Sequence, residues 1–351
     1  MPIILGILIF GLIVLIHELG HFLSARMCKI NVEEFAIGMG PKLLSYKIKE
    51  TIYSLRIFPI GGFCLLTGED KESKSPFSFG NKSIAQRFFV ICSGVFMNLI
   101  LAFVFFFILN LFSGATFRKV NKILKNSPAH ESGIVSGDVI NKIDNNKINI
   151  SQDLNFYIND TNGKEIVVNI IRKNKFLDFK LKPIKSEYGG YYIGVERYHK
   201  IGIFDNDKNY ERINIIESLV LAYHNVFFYI KISLIGLSRL FVGRIAFKEL
   251  AGPIGIIQVI GETYSESIKK SFFYTLQTLL NFTAIISANV GIFNLLPIPA
   301  LDGGKLIFLS IEFFRRKKIN PSCENLVHLI GFSVLIIFAI IIAISDVIKI
   351  F

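Results

Sequence analysis

The chain has 351 residues, of which 52% are hydrophobic and 34 are phenylalanine, and its mean hydropathy is +0.50. This composition excludes an ordinary soluble globular protein and indicates an integral membrane protein. The formal net charge of +12 could suggest nucleic-acid binding, but the basic residues are scattered and no nucleic-acid-binding motif accompanies them. The lipid bilayer with its anionic headgroups, and not nucleic acid, is therefore the predicted partner.

The N-terminal segment places ionisable groups at the end of an apolar run. Residues 3–16 contain only Ile, Leu, Val, Phe and Gly, and His17-Glu18-Leu19-Gly20-His21 follows directly. On a helix, His17 and His21 lie on one face and can bind the same Zn²⁺ ion, while Glu18 can accept a proton from water. Ionisable groups are costly inside a membrane, which favours a functional site over a chance match. Because no basic n-region or cleavage site is present, the segment is predicted to remain as a transmembrane helix.

The cysteines show no C-x-x-C spacing, and none of them lies between residues 113 and 218; they are Cys28, Cys64, Cys92 and Cys323. This pattern argues against structural disulfides and against a cysteine zinc site. Histidine and aspartate remain as the expected ligands.

A catalytic zinc ion needs a third protein ligand. The strongest candidate lies in residues 294–304, Asn-Leu-Leu-Pro-Ile-Pro-Ala-Leu-Asp-Gly-Gly. Pro297 and Pro299 would break a membrane helix there, and Asp302 would be held at membrane depth. An alternative interpretation is an ordinary loop in which Asp302 caps the next helix.

Four transmembrane helices are predicted, at the N-terminus and at residues 88–112, 271–296 and 327–344. Residues 218–241 carry several polar side chains and are predicted to form an amphipathic helix at the membrane interface. If this segment crossed, residues 271–296 would run in the opposite direction and carry Asp302 away from the histidines. Lys and Arg are dense in residues 24–87 and after Asp302, so these loops are predicted to be cytoplasmic. Both termini and the central domain would then lie outside, with the active site towards the cytoplasm.

The central region reads as a soluble domain. Three stretches with alternating polarity, at residues 139–143, 166–171 and 176–181, are typical of strands in a half-buried sheet. Asn145-Asn146 and Asn162-Gly163 supply turns between them.

Taken together, these motifs resemble the site-2 protease family of intramembrane zinc metalloproteases, of the bacterial regulator-of-sigma-E-protease type. The resemblance rests on the histidine motif and on the sequence from Asn294 to Gly303, and it covers nearly the whole chain. Smaller matches support it, namely Gly38-Met39-Gly40-Pro41, Pro59-Ile60-Gly61-Gly62-Phe63, Ser93-Gly94 with Asn98, and Gly252-Pro253-Ile254-Gly255-Ile256.

The resemblance implies that His17, His21 and Asp302 bind Zn²⁺, that Glu18 is the catalytic base, and that the Asn294 amide stabilises the oxyanion. Interhelical hydrogen bonding is the alternative role for Asn294. It also implies one PDZ domain, since residues 127–140 are similar to a bacterial PDZ stretch. The expected domains are residues 1–112 with the first two helices and a β-hairpin loop, 113–200 as the PDZ domain, 201–270 as linker and interfacial helix, and 271–351 with the last two helices.

Residues 52–66 have strand character interrupted by Gly61-Gly62, which is suited to a hairpin. The resemblance implies that this membrane-associated hairpin pairs with an extended substrate, with Pro297 and Pro299 also in the substrate site. A sheet that merely packs on the helices is the alternative. The implied substrates are single-span membrane proteins of the bacterial inner membrane, such as anti-sigma factors or remnant signal peptides, cleaved by zinc-activated water. The PDZ domain would contact substrate ectodomains or C-termini.

Two other functions are compatible with parts of the sequence. A membrane adaptor without proteolytic activity could use a PDZ domain to gather partners, but it would not need Glu18. A zinc transporter would be expected to carry several intramembrane acidic or histidine sites along a path, whereas one cluster is visible here.

Overall fold

The computed structural model describes residues 2–69, 73–187, 189–203, 205, 207–244 and 252–350. Its α-helices are α1 (Pro2–Met27), α2 (Ile84–Ser113), α3 (Pro128–Ser132), α4 (Ser151–Asp160), α5 (Ile215–Phe241), α6 (Pro253–Lys270), α7 (Phe272–Asn294), α8 (Asp302–Arg315) and α9 (Pro321–Ile350). Its strands are β1 (Val32–Ile48), β2 (Thr51–Leu66), β3 (Ala115–Ile123), β4 (Val139–Ile143), β5 (Asn146–Lys147), β6 (Ile166–Arg172), β7 (Lys175–Leu181), β8 (Ile184–Lys185), β9 (Tyr191–Tyr192) and β10 (Val195–Lys200).

The chain divides into two compact units. One consists of Met1–Phe105 and Tyr229–Phe351, and the other is Phe106–Phe228. The first unit contains the sequence motifs that carry the expected chemistry. The second unit contains the whole of the predicted domain at residues 113–200.

Five helices among the described residues are long and apolar enough to cross a membrane: Ile3–Met27, Ile84–Ser113, Ile215–Phe241, Phe272–Asn294 and Ser322–Lys349. Four of these coincide with the predicted spans. The additional candidate is α5, which the polar residues had suggested as an interfacial helix. The predicted count of four is therefore not confirmed.

Helix α5 contacts α7, the helix that precedes the loop to Asp302. The Ser233 hydroxyl of α5 donates to Asn289 Oδ1 of α7 at 2.5 Å, so α5 packs against α7. In the next helix, α6, Ile257 lies against Gly6 near the start of α1. The interfacial position of residues 218–241, and the dependence of the site on it, stay predictions.

A buried carboxylate fixes the start of α6. Asp346 of α9 is 2% exposed and accepts hydrogen bonds from the backbone N–H groups of Gly252 (3.1 Å) and Gly255 (2.9 Å). Backbone N–H groups at a helix N-terminus have no partner within the helix, so an anion there is stabilising. Side chains at these glycines would collide with α9, since a Cβ on Gly252 would lie 2.5 Å from Asp346 Oδ2.

Helices α1 and α2 approach each other very closely beside the histidine motif. A Cβ on Gly20 would lie 2.4 Å from the Ser93 carbonyl oxygen, which only glycine permits. The hydroxyls of Ser24 and Ser93 lie 2.7 Å apart in the same interface, so both are hydrogen-bonded in the apolar surroundings. Small residues and hydroxyls of this kind allow close contact between membrane helices.

Strands β1 and β2 bend and form a sheet that is four segments wide. Residues 32–39 lie in the middle, paired on one side with 62–66 and on the other with 51–58, which in turn pair with 42–48. The expected hairpin around Gly61-Gly62 is therefore wrong in its pairing, because β1 separates its two arms. Sequence patterns identify strand character but cannot fix which distant strand inserts between two neighbours.

The middle of this sheet is held by a buried ionic group. Glu34 accepts hydrogen bonds from Ser54 (2.5 Å) and Arg56 (2.8 Å) and forms an ion pair with Lys42 (3.0 Å). Burial acts to raise the pKa of Glu34, but the hydrogen bonds from these three side chains outweigh it and the pKa lies below its ordinary value. The ionised carboxylate thus ties three segments of the sheet together.

The second unit contains a six-stranded antiparallel sheet in the order β10-β3-β4-β6-β7, with β5 paired to β4. The three strands predicted from alternation are present as β4, β6 and β7. Their inward-facing side chains, together with those of α4, form a core that includes Ile140, Leu154, Val168 and Ile170, all 1% exposed or less. Asn162 and Gly163 have positive φ values of 50° and 79°, as expected for a turn.

Replacement of Gly20 by alanine is expected to lower the free energy of unfolding by about 1–3 kcal/mol, because the added Cβ would meet the backbone of Ser93. Gly11→Ala is the matched control, since the nearest atom to its Cβ is 3.6 Å away, and it should change stability by less than about 0.5 kcal/mol. Thermal unfolding of the purified protein in detergent, followed by circular dichroism, measures both. Equal midpoints for the two variants would contradict the packing argument.

Candidate metal site

Two of the predicted ligands lie one above the other on α1. His17 and His21 are separated by one helical turn, and their Nε2 atoms are 3.2 Å apart. His17 is 7% exposed, so its imidazole lies inside the protein and not towards lipid. The helical spacing alone therefore supplies two convergent nitrogen donors.

The third predicted ligand reaches the same point from the other end of the chain. Asp302 is the first residue of α8, and its Oδ2 atom lies 3.0 Å from His17 Nε2 and 3.5 Å from His21 Nε2. Among the described residues, these three are the group of His, Cys, Asp and Glu side chains that could hold a metal ion, with all ligand atoms within 4.8 Å of one another. The structure thus brings the three predicted ligands together, and their binding of zinc stays a prediction.

The spacing of the donors fits zinc. Nitrogen and oxygen ligands bound to zinc at about 2.0–2.2 Å in a tetrahedral arrangement lie about 3.3–3.6 Å from each other. The separations here, from 3.0 to 3.5 Å, are close to that range. Asp302 Oδ2 is also buried and has no hydrogen-bond partner when the Nε2 atoms of both histidines carry lone pairs instead of protons. A bound cation would compensate this buried carboxylate oxygen.

Gly94 of α2 forms the wall opposite the ligands. A Cβ built on Gly94 would lie 2.5 Å from His21 Nε2 and 2.7 Å from His17 Nε2, which is within the space a bound metal needs. The sequence showed Ser93-Gly94 as a smaller match without assigning it a role. A glycine inside an apolar span is the signal that marks a close approach.

Each histidine is oriented by a contact from its other ring nitrogen. His21 Nδ1 lies 2.9 Å from the Val90 carbonyl oxygen, to which it can only donate a hydrogen bond. The neutral ring then carries its lone pair on Nε2, where it is available to bind a metal ion. His17 Nδ1 lies 3.3 Å from the amide of Asn98, which is fully buried. Asn98 Oδ1 has no partner as the amide is oriented, and rotating the amide would let it accept the Nδ1 proton of His17.

Glu18 lies beside the ligands and under the edge of the first sheet. A Cβ on Gly62 would lie 3.7 Å from Glu18 Cγ and 2.8 Å from the Ala36 carbonyl oxygen. Gly61 has a φ of +82°, which favours glycine. These two glycines are therefore needed by the sheet itself, where they allow the segment 62–66 to pass directly over Glu18.

The loop between α7 and α8 is folded tightly against the start of α8. Cβ atoms on Gly303 and Gly304 would lie 2.1 Å from the Leu296 carbonyl oxygen and 2.6 Å from that of Ile298. Asn294 is the last residue of α7, and its side chain makes no hydrogen bond to another described residue. Pro297 is exposed, whereas Pro299 is half-buried against α9. The glycines after Asp302 thus permit the turn that presents its carboxylate.

Comparison with known proteins gives matches over almost the full length. Residues 5–338 match the profile described as peptidase family M50. A candidate zinc metalloprotease of Clostridium acetobutylicum is 38% identical over 99% of this chain and 97% of that protein. The regulator of sigma-W protease RasP of Bacillus subtilis is 29% identical over 98% of both. Among solved structures, the PDZ domain of an SdrC-like protein from Listeria innocua is 26% identical, over 24% of this chain and 94% of that chain, with a TM-score of 0.22.

Gly94→Ala is expected to abolish zinc binding, because the methyl group would occupy the space between the two Nε2 atoms. Zinc content of the purified protein, measured by mass spectrometry of the metal, should fall to near zero. Gly236→Ala is the matched control, since no atom lies within 4 Å of its Cβ, and it should keep one equivalent. Full zinc content in the Gly94 variant would show that this helix face does not border the metal.

Proposed function

Because the chain belongs to peptidase family M50, the site-2 protease family of intramembrane zinc metallopeptidases, we propose that His17, His21 and Asp302 are its zinc ligands and Glu18 its catalytic base. The observation that carries this assignment is the convergence of three donors from opposite ends of the sequence in front of Gly94. A structural zinc site would normally be closed by a fourth protein ligand, whereas this cluster has three. An open position is what a hydrolytic site requires.

Zinc bound there supplies Lewis-acid chemistry, which favours deprotonation of water near neutral pH and stabilises negative charge on the scissile carbonyl oxygen. The protein supplies the orientation. Val90 and Asn98 hold the two imidazoles with their Nε2 atoms towards the ion, and Gly94 leaves room for it. Polar contacts behind metal ligands fix both the tautomer and the ring orientation.

Glu18 is the residue proposed to move protons. It is adjacent in sequence to His17 and lies under the segment 62–66. In this position its carboxylate accepts a proton from the attacking water and returns it to the leaving amine. Asn294 is proposed as a hydrogen-bond donor to the developing oxyanion, which is consistent with a side-chain amide that is not used by another described residue.

The substrate is proposed to bind as an extended strand. A transmembrane helix hides its carbonyl groups in intrahelical hydrogen bonds, so it must unwind before hydrolysis. The segment 62–66 is an edge of the first sheet, paired on one side with β1. Because this edge passes over Glu18, a strand added to it would place its backbone beside the base. Pro297 and Pro299 lie in the loop before Asp302 and are proposed to border the same substrate site.

The proposed substrates are single-span membrane proteins, including anti-sigma factors and remnant signal peptides. The β-sheet domain of the second unit is proposed to be an extracytoplasmic PDZ domain that contacts or filters substrate ectodomains. The distribution of Lys and Arg supports an inner-membrane orientation with the active site nearer the cytoplasm. Sigma-factor regulation in the name of the Bacillus subtilis relative supports the choice of anti-sigma factors.

Glu18→Gln is expected to lower the cleavage rate at least about 100-fold while zinc content stays at the wild-type level, because glutamine keeps the shape but cannot accept a proton. The substrate is a synthetic single-span membrane protein whose membrane segment is a signal peptide. Its cleavage is followed by mass spectrometry, and the zinc content of each variant is measured in parallel. Glu33→Gln, an exposed glutamate outside the site, is the control and should cleave normally. If the Glu18→Gln variant cleaves as fast as wild type, Glu18 is not the catalytic base. If the variant loses zinc, Glu18 acts as a ligand instead.

Strand addition predicts disulfide cross-links with a period of two residues. The experiment uses the Glu18→Gln variant with the four native cysteines replaced by alanine. Leu65→Cys on the edge segment should then cross-link to cysteines at alternate positions of the membrane segment of the single-span substrate. Ser45→Cys lies on the opposite edge segment and should cross-link weakly. The products are read by gel electrophoresis. A period of three to four residues, or equal cross-linking at both edges, would contradict pairing at this edge.

A further inference from the structure

One histidine outside the proposed zinc site contacts the loop that carries the third ligand. His328 lies on α9, in a stretch of the sequence that is otherwise mostly apolar. Its Nδ1 atom accepts a hydrogen bond from the backbone N–H of Ala300 at 2.9 Å. Ala300 is two residues before Asp302, so this bond joins α9 directly to the segment that presents the ligand.

The backbone at Ala300 needs an external contact to stay in place. Its φ is +79°, a left-handed conformation that is costly for any residue with a Cβ. Such a conformation persists when the surrounding structure fixes it. The hydrogen bond to His328 satisfies the backbone N–H of this residue.

A second contact on the same face of α9 holds the preceding residue. Gly331 is almost one helical turn after His328, and a Cβ placed on it would lie 2.4 Å from Pro299 Cβ and 2.7 Å from the Pro299 carbonyl oxygen. The backbone of α9 therefore touches the loop itself at Pro299. His328 and Gly331 therefore contact two successive residues of the loop, Ala300 and Pro299.

The imidazole of His328 is itself held in one orientation. Its ring packs on Phe308 of α8, with centroids 5.5 Å apart, and its Nε2 atom lies 4.0 Å from Glu324. Because Nδ1 accepts from Ala300, the neutral ring carries its proton on Nε2, on the side of Glu324. The geometry thus assigns the acceptor role towards Ala300 to Nδ1.

We propose that His328 is a positioning residue for zinc binding, which acts through Ala300 to hold the Asp302 carboxylate at the distance the metal requires. This inference rests on the proposed function, since it takes Asp302 as a ligand. Asp302 is the ligand with most need of such support: His17 and His21 share one continuous helix, whereas Asp302 follows an irregular loop. A small displacement of Ala300 is passed on to Asp302 through one intervening residue.

The test compares two polar replacements that differ in reach. In His328→Asn, the side-chain oxygen occupies the place of Nδ1 and can still accept from Ala300, whereas in His328→Gln the oxygen lies further along the side chain. The full-length protein in detergent is loaded with zinc, and its loss to a chelator is followed in time. The asparagine variant should stay within about threefold of wild type, while the glutamine variant should lose zinc about 10–100-fold faster. Cobalt in place of zinc gives a second readout, because its visible spectrum reports ligand geometry.

Ser333→Ala is the control on the same helix, because the Ser333 hydroxyl donates only to the Leu329 carbonyl of its own helix, and zinc loss should be unchanged. Steady-state cleavage should show a lower kcat with little change in KM for the glutamine variant. Equal zinc retention by the asparagine and glutamine variants would overturn the proposal, whether both match wild type or both are impaired. Asp302→Ala distinguishes failure of the proposed ligand set from failure of the proposal for His328. If Asp302→Ala keeps zinc, the assignment of Asp302 as a ligand fails. If Asp302→Ala loses zinc while His328→Gln retains it, only the role of His328 fails.

Discussion

The close approach of α1 and α2 is the constraint on which the rest of the site depends. At Gly20 the backbone of one helix lies almost against the backbone of the other, and at Gly94 the second helix comes equally near to both imidazoles. A side chain at either position would separate the helices or fill the metal space. The contacts that orient the histidines, from Val90 and Asn98, are also on α2 and exist only at this distance. The same helix packing therefore sets the distance between α2 and the two imidazoles proposed to bind the metal.

Three polar groups within the apolar helices join separate elements of the first unit. Asn98 contacts His17 through its side chain and accepts a hydrogen bond from Ser287 through its backbone carbonyl, so it links α1, α2 and α7. Asp346 fixes the start of α6, and His328 contacts the loop before Asp302. In a membrane an unsatisfied polar group is expensive, which makes such pairs specific in their location. They set the positions of helices that apolar packing alone would leave free to slide.

The first sheet contributes a different element, an edge close to Glu18. Its central segment is anchored by Glu34, and its outer segment passes over Glu18 because Gly61 and Gly62 permit the bend and the close approach. The strand character of residues 52–66 predicted β2 but not β1. It could not predict the order of segments, since pairing between strands distant in the sequence depends on the turns and on packing against α1. The same limit applies to α5, whose composition fits both an interfacial helix and a helix packed against α7.

The sequence by itself determined the chemistry that is local: two histidines and a glutamate at helical spacing, a broken helix with an aspartate near its break, and strands with alternating polarity. These follow from backbone geometry, which repeats every few residues and is readable in any stretch of chain. Only the tertiary structure decided that Gly94 faces His17 and His21, that Asn98 contacts His17, that β1 lies between the two arms of β2, and that His328 contacts the loop before Asp302. Those relations join residues far apart in the chain, and their distances are set by the packing of whole helices, which no local pattern records.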